Sequence, residues 1–137
     1  MADATWEKTM AQLEAAEQRF VRGDPAAFMQ LWSQQADVTI FGSFGGLERG
    51  WEQIRARLEW ASAQYAHGTF RWERLSESVG TELAYTVYLE YIRARVGSRT
   101  EEVIREQRVT LLCRREGEQW RIVHLHVDPL VQKRVPD

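Results

Sequence analysis

At 137 residues the chain is long enough for one domain around one hydrophobic core, with 44% hydrophobic residues to fill it. A formal charge of −2 and a pI near 6.0 exclude the excess of Lys and Arg that a nucleic-acid-binding face needs. The single cysteine, Cys113, excludes an internal disulfide and a multi-thiolate metal site.

No apolar run approaches the ~18 residues of a membrane span, and MADATWEKTM has no signal-peptide apolar region. The expectation is a soluble, cytoplasmic protein with no membrane and no nucleic-acid partner. Six tryptophans are a high count, and their large apolar bodies with one polar tip suit cores, pockets and interfaces alike.

Trp6, Met10, Leu13, Glu17 and Phe20 recur at spacings of three and four, which predicts an amphipathic helix over about 4–22. Glu17 is the polar exception on that stripe. RGDPAAF then ends one helix at Gly23 and starts another with Asp24 as N-cap and Pro25 in the first turn. The short second helix puts Phe28, Leu31 and Trp32 on one side. DVTIF (Asp37 to Phe41) reads as a strand.

GSFGGLERG, with four glycines in nine residues, reads as a loop that needs positive φ angles. It has neither the lysine nor the spacing of a phosphate-binding P-loop. Trp51, Ile54, Leu58 and Tyr65 give a third helix over about 50–65. From residue 67 the period becomes two, which predicts four long strands near 67–77, 82–96, 101–115 and 118–128, joined at SVGT, VGSR and REGE.

Helices first and an antiparallel meander second make an α+β protein, one domain over 1–137 with no repeat and no linker. Strands this long twist and curl, so the sheet forms a half-open cone with the helices on its concave side and a cavity between the two.

Strand parity sorts the side chains. Thr86, Tyr88, Glu90 and Ile92 form one set with Arg108, Thr110, His124, His126 and Asp128; Tyr85, Val87, Leu89, Val109, Leu111 and Leu125 form the other. Neither is polar enough for an ordinary solvated face. The expectation is that helices cover one face and a second copy of the chain covers the other, giving a homodimer through the sheet.

The residues AYTVYLEY, EQRV (Glu106 to Val109), the RREG turn and W-x-I-V-H-x-H (Trp120 to His126), following GDP, DVTIFG and GWEQIR, resemble the NTF2-like, or SnoaL-like, cone fold. The likeness covers nearly the whole chain. Its last third is similar to the association domain of calcium/calmodulin-dependent protein kinase II and its stand-alone bacterial relatives. This fold hosts many activities, so the resemblance implies architecture before chemistry.

His124, His126 and Asp128 can be weighed as a metal site, but a third imidazole or a thiolate is not near in sequence, and the resemblance implies His-x-His as a metal-free fold feature. No metal and no cofactor are expected. Cys113 falls among apolar residues as a buried thiol.

If the mixed face lines the cavity, Glu90, Arg108 and His126 converge on it, with Tyr88 beside them and Trp32 as an aromatic roof. The competing account is a Glu90–Arg108 cross-strand ion pair.

The ketosteroid isomerase branch carries its aspartate base after the first strand, where this chain has Gly42. The Asp-Arg-Asp set of the epoxide hydrolase branch has no match. The association domain lines its cavity with arginines, of which Arg108 matches while Glu90 and Val127 stand at the other two positions.

Three readings follow. The chain binds a small, largely apolar molecule through Trp32, Tyr88, Glu90, Arg108 and His126; or it is an isomerase, dehydratase or cyclase acting on a hydrophobic carbonyl compound; or it is an oligomerisation module. The missing base places binding first.

Overall fold

The structure is a computed structural model that describes residues 4–137. Three helical pieces, α1 (Ala4–Phe20), α2 (Ala26–Met29) and α3 (Trp51–Ala63), pack on one six-stranded sheet. Its strands are β1 (Thr39–Phe41), β2 (Glu48–Arg49), β3 (Tyr65–Val79), β4 (Leu83–Val96), β5 (Glu102–Glu116) and β6 (Gln119–Pro129), in spatial order β2-β1-β6-β5-β4-β3. The α+β cone is the predicted architecture. One element is new: Glu48–Arg49 ends the glycine-rich stretch as a two-residue strand, pairing Thr39 with Arg49 and Ile40 with Glu48. The β1–β6 pair is parallel, so the sheet is not a pure meander.

The predicted α1 stripe is the buried one. Trp6, Met10, Leu13 and Phe20 all enter the core, each contributing about 2 kcal/mol by burial. Trp6 meets Trp120 of β6 edge to face at 5.8 Å, which ties the start of the chain to its last hairpin. Asp24 accepts a hydrogen bond from the Ala26 N–H, and the single turn of α2 seats Phe28 against Phe20 at 5.2 Å.

Two features of the sheet decide which residues face inward. The β4–β5 register sets Glu90 opposite Gln107 and Tyr88 opposite Val109. Directly opposed residues share a face, so the inner face carries Thr86, Tyr88, Glu90 and Ile92 together with Gln107, Val109, Leu111 and Cys113. In β6, Leu112 pairs with His124 and Cys113 with Ile122, which leaves Val123 as an extra, bulged residue. Side-chain parity changes there: Trp120 and Ile122 point inward before the bulge, Leu125 after it. His124, His126 and Asp128 fall on the outer face with Arg108.

A third irregularity joins α1 to the sheet. His67 and Gly68 bulge out of β3 between its pairs Ala66–Arg95 and Thr69–Arg93, with His67 at φ 58°. The Gly68 N–H donates to the Val21 carbonyl at 3.0 Å, and its own carbonyl accepts from Gln18 Nε2 at 2.9 Å. A Cβ on Gly68 would lie 2.2 Å from the Val21 carbonyl oxygen, so the approach requires glycine. Gly68→Ala is expected to cost roughly 3 kcal/mol. Urea denaturation measures it, and a loss below about 0.5 kcal/mol would contradict this packing.

No helix among the described residues is long and apolar enough to cross a membrane.

Candidate active site

The inner face and the helices do not fill the cone. A cavity of about 70 Å³ remains between α1, α3, β4 and the loop after β1. Its walls are mostly apolar: Phe20 from α1, Phe28 from α2, Leu58 and Ala61 from α3, Ile92 from β4, and Leu125 and Val127 from β6. Two carboxyl groups interrupt this surface, Glu17 on α1 and Glu90 on β4.

Glu17 is the residue that breaks the apolar stripe of α1. It stands between Leu13 and Phe20 on the helix face turned to the sheet, and it is 8% exposed. Its carboxyl makes no hydrogen bond among the described residues. Burial, and after it the charge of Glu90, push its pKa well above the ordinary carboxylate range.

Glu90 is 4% exposed and better held. Trp72 Nε1, on β3, donates to its Oε2 at 2.7 Å, and Gln107 Nε2, on β5, donates to its Oε1 at 3.3 Å. The register places both donors beside it, since Trp72 and Gln107 are its two cross-strand neighbours. Burial raises the Glu90 pKa to about 7, and the bonds from Trp72 and Gln107 pull the other way. Both carboxyls therefore hold their protons to higher pH than an exposed glutamate does, with Glu90 half-ionised near pH 7. The two groups line one cavity, and the charge of Glu90 adds to the burial that raises Glu17.

The polar rim lies at the mouth. Arg57 borders the cavity but pairs with Glu48 at 3.5 Å. Burial pushes the Tyr65 hydroxyl up to about 12, with the nearby Arg105 guanidinium opposing it.

Of the five residues expected to bind a ligand, only Glu90 lines this cavity. Trp32 is buried under the sheet edge, where it bridges Ile122, and forms core rather than a roof. Tyr88 is buried on the inner face beside Trp72, with ring centroids 4.8 Å apart, and burial raises its hydroxyl well above the usual range.

Arg108 and His126 are on the opposite side of the sheet. Arg108 Nε donates to Asp128 Oδ1 at 2.7 Å, and His126 Nε2 lies 3.4 Å from Asp128 Oδ2. The Glu90–Arg108 ion pair is thus replaced by Arg108–Asp128, because adjacent residues on a strand face opposite ways. Glu17 is the site residue that sequence reasoning passed over. The one signal for it was a carboxylate on an otherwise apolar helical stripe.

The His-x-His motif of β6 is also outside the cavity. Thr39 Oγ1 lies 2.7 Å from His124 Nδ1, and Phe41 stacks edge-on against both imidazoles at 5.1 and 5.3 Å. Burial and the neighbouring His126 lower the His124 pKa. No cluster of metal-ligating side chains occurs among the described residues. Cys113 is buried, and burial pushes its thiol up to about 12.

The family model for the SnoaL-like domain matches residues 8–131. No curated protein matches the chain. Many solved structures share the fold. A protein from Streptomyces avermitilis described as a dehydratase of the NTF2-like family is 18% identical, with a TM-score of 0.78 over 93% of this chain and 95% of that one. One from Thiobacillus denitrificans, described as a calcium/calmodulin-dependent protein kinase type II association domain, is 18% identical, with a TM-score of 0.75 over 93% and 96%. One from Parabacteroides distasonis, described as a ketosteroid isomerase, is 19% identical, with a TM-score of 0.70 over 93% and 89%. At these identities the solved structures speak for the cone alone, and with the family model spanning most of the sequence, the chain belongs to the SnoaL-like domain family.

Proposed function

We propose that the cavity takes up a small, largely apolar carbonyl compound and that the Glu17–Glu90 pair moves a proton on it, as an isomerase or dehydratase does. The observation that carries this is the burial of two carboxyl groups in one apolar cavity with no cation between them. Leaving such groups unneutralised costs stability, and a purely structural core would gain by replacing them.

Glu90, whose carboxylate accepts from Trp72 and Gln107, takes the proton from the carbon next to the carbonyl. Glu17, whose pKa burial and the charge of Glu90 raise, gives its proton to the carbonyl oxygen. The result is an enol. With a β,γ-double bond the enol is a dienol, and Glu90 returns its proton at the γ-carbon while the enol O–H proton goes back to Glu17, which completes an isomerisation. With a β-hydroxyl, Glu90 gives its proton to the departing hydroxyl, which leaves as water, while the enol O–H proton goes back to Glu17, which completes a dehydration. The sequence alone ranks binding without chemistry first, because Gly42 stands where an aspartate base is expected. A carboxyl pair on α1 and β4 supplies acid and base from different elements and reverses that order.

The test is exchange of α-protons. Cyclohex-2-enone in D₂O is followed by proton NMR with and without the protein. Loss of the α′-proton signal faster than in buffer is expected, and an unchanged rate over a series of small cyclic ketones would refute the proposal.

The outer face supports a second copy of the chain as partner. Leu75 (57% exposed), Ile104 (56%) and Tyr85 (39%) stand out from it, among Val87, Leu89 and the Arg108–Asp128 pair. Light scattering is expected to give a mass of two chains, and Tyr85→Lys to shift it towards one. A single-chain mass for the unaltered protein would discard the partner, and a mass above two chains would favour the assembly role.

A further inference from the structure

The cavity is small for its chemistry. About 70 Å³ holds a few water molecules, whereas pockets for organic ligands start near about 300 Å³. One aromatic side chain on the loop after β1 forms part of its wall. Phe44 lines the cavity and lies edge-on to Trp60 at 5.4 Å and against Tyr65 at 5.8 Å. The Arg105 guanidinium covers the ring at 4.3 Å.

We infer that Phe44 is a hinged plug that sets the size of molecule the cavity admits. This rests on the reading of the cavity as a binding site. The loop is built to move: Gly45 and Gly46 follow Phe44 at φ 92° and 72°, and neither has a neighbour within 4 Å of the position a Cβ would take.

Its ties to the body are long. Arg105 Nη2 donates to the Ser43 carbonyl and Arg57 Nη2 to the Gly45 carbonyl, each at 3.4 Å. Hydrogen bonds of that length are at the outer limit and add little. The ring is held instead by the Arg105 contact and the two aromatic edges, interactions of roughly 1 kcal/mol each. Swinging Phe44 outward opens a path between the loop and α3 and adds the volume of its ring to the cavity, with Glu17 and Glu90 at the far end. Ligand size is then limited by the cost of displacing one phenyl group rather than by the rigid walls.

The probe for this is 4-dimethylaminoacetophenone, a neutral one-ring ketone too large for the closed cavity, whose emission shifts to the blue in apolar surroundings. In the unaltered protein its entry, followed by stopped flow, is expected to level off with concentration at the rate of loop opening. In Phe44→Ala the plateau disappears and the probe binds about tenfold more tightly, as when a binding-competent state no longer has to be populated first. Phe44→Trp, with a larger plug, slows entry. Equal entry rates in all three proteins would overturn the gate and leave the cavity reading in place. No blue-shifted probe in any of them would remove both.

Discussion

Glu90→Gln is expected to lower α-proton exchange by about 10²- to 10⁴-fold, the usual contribution of a positioned general base. The substitution is a clean one. The amide oxygen still accepts from Trp72 Nε1, and the new amide N–H₂ takes the place of the oxygen that accepted from Gln107 Nε2, so the Gln107 amide turns over to offer its Oε1, which is buried without a hydrogen bond among the described residues. The side chain keeps its place while losing its basicity.

In the unaltered protein the rate rises with pH as Glu90 ionises around 7. In the variant the rising limb is absent. Exchange within about twofold of the original, or an unchanged rising limb, would remove Glu90 from the role of base. Arg108→Leu is the matching control. Its side chain lies on the other face of the sheet, paired with Asp128, so exchange is expected to stay unchanged.

Why Arg108 serves as a control shows where sequence reasoning stopped. Within each strand the period of two was legible: the alternation in β4 and in β5 is the alternation of burial in the structure. Which set of one strand joins which set of the next is fixed by register, and register depends on the length and shape of the turn rather than on strand composition. The connection from Gly97 to Glu101 pairs even-numbered residues of β4 with odd-numbered residues of β5, so Glu90 meets Gln107 and not Arg108.

The bulge at Val123 has the same effect within β6, separating Trp120 and Ile122 from His124 and His126. Nothing in the residue types there announces an extra residue. Glu17 was visible in another sense. Helical spacing put it on the buried face, but only the opposing Glu90 turns a polar exception into half of a pair.

Glu17→Leu is expected to make the protein more stable and inactive. Both carboxyls have folded-state pKa values raised above the ordinary 4.5, so the native state retains protons that the unfolded chain has released. Stability then falls as pH rises through the interval between the two values and levels off above the folded-state pKa.

For Glu90 that interval runs from about 4.5 to about 7, and a shift of that size corresponds to about 3 kcal/mol. Glu17, its pKa also raised by burial and by the charge of Glu90, adds a decline of the same sign. Leucine has nearly the same bulk and no proton to lose, and it completes the apolar stripe of Leu13 and Phe20. Urea denaturation at pH 5, 7 and 9 should show falling stability in the unaltered protein and a smaller fall in Glu17→Leu. The gain at pH 9 should be on the order of 2 kcal/mol.

Exchange should drop with it, because the carbonyl oxygen has lost its proton donor. A site kept for chemistry is stabilised by its own destruction, whereas a carboxyl kept for packing is not. A Glu17→Leu protein less stable than the original at pH 9, or one that still exchanges α-protons at the full rate, would show that the buried pair serves the fold and that the reaction, if there is one, is carried elsewhere.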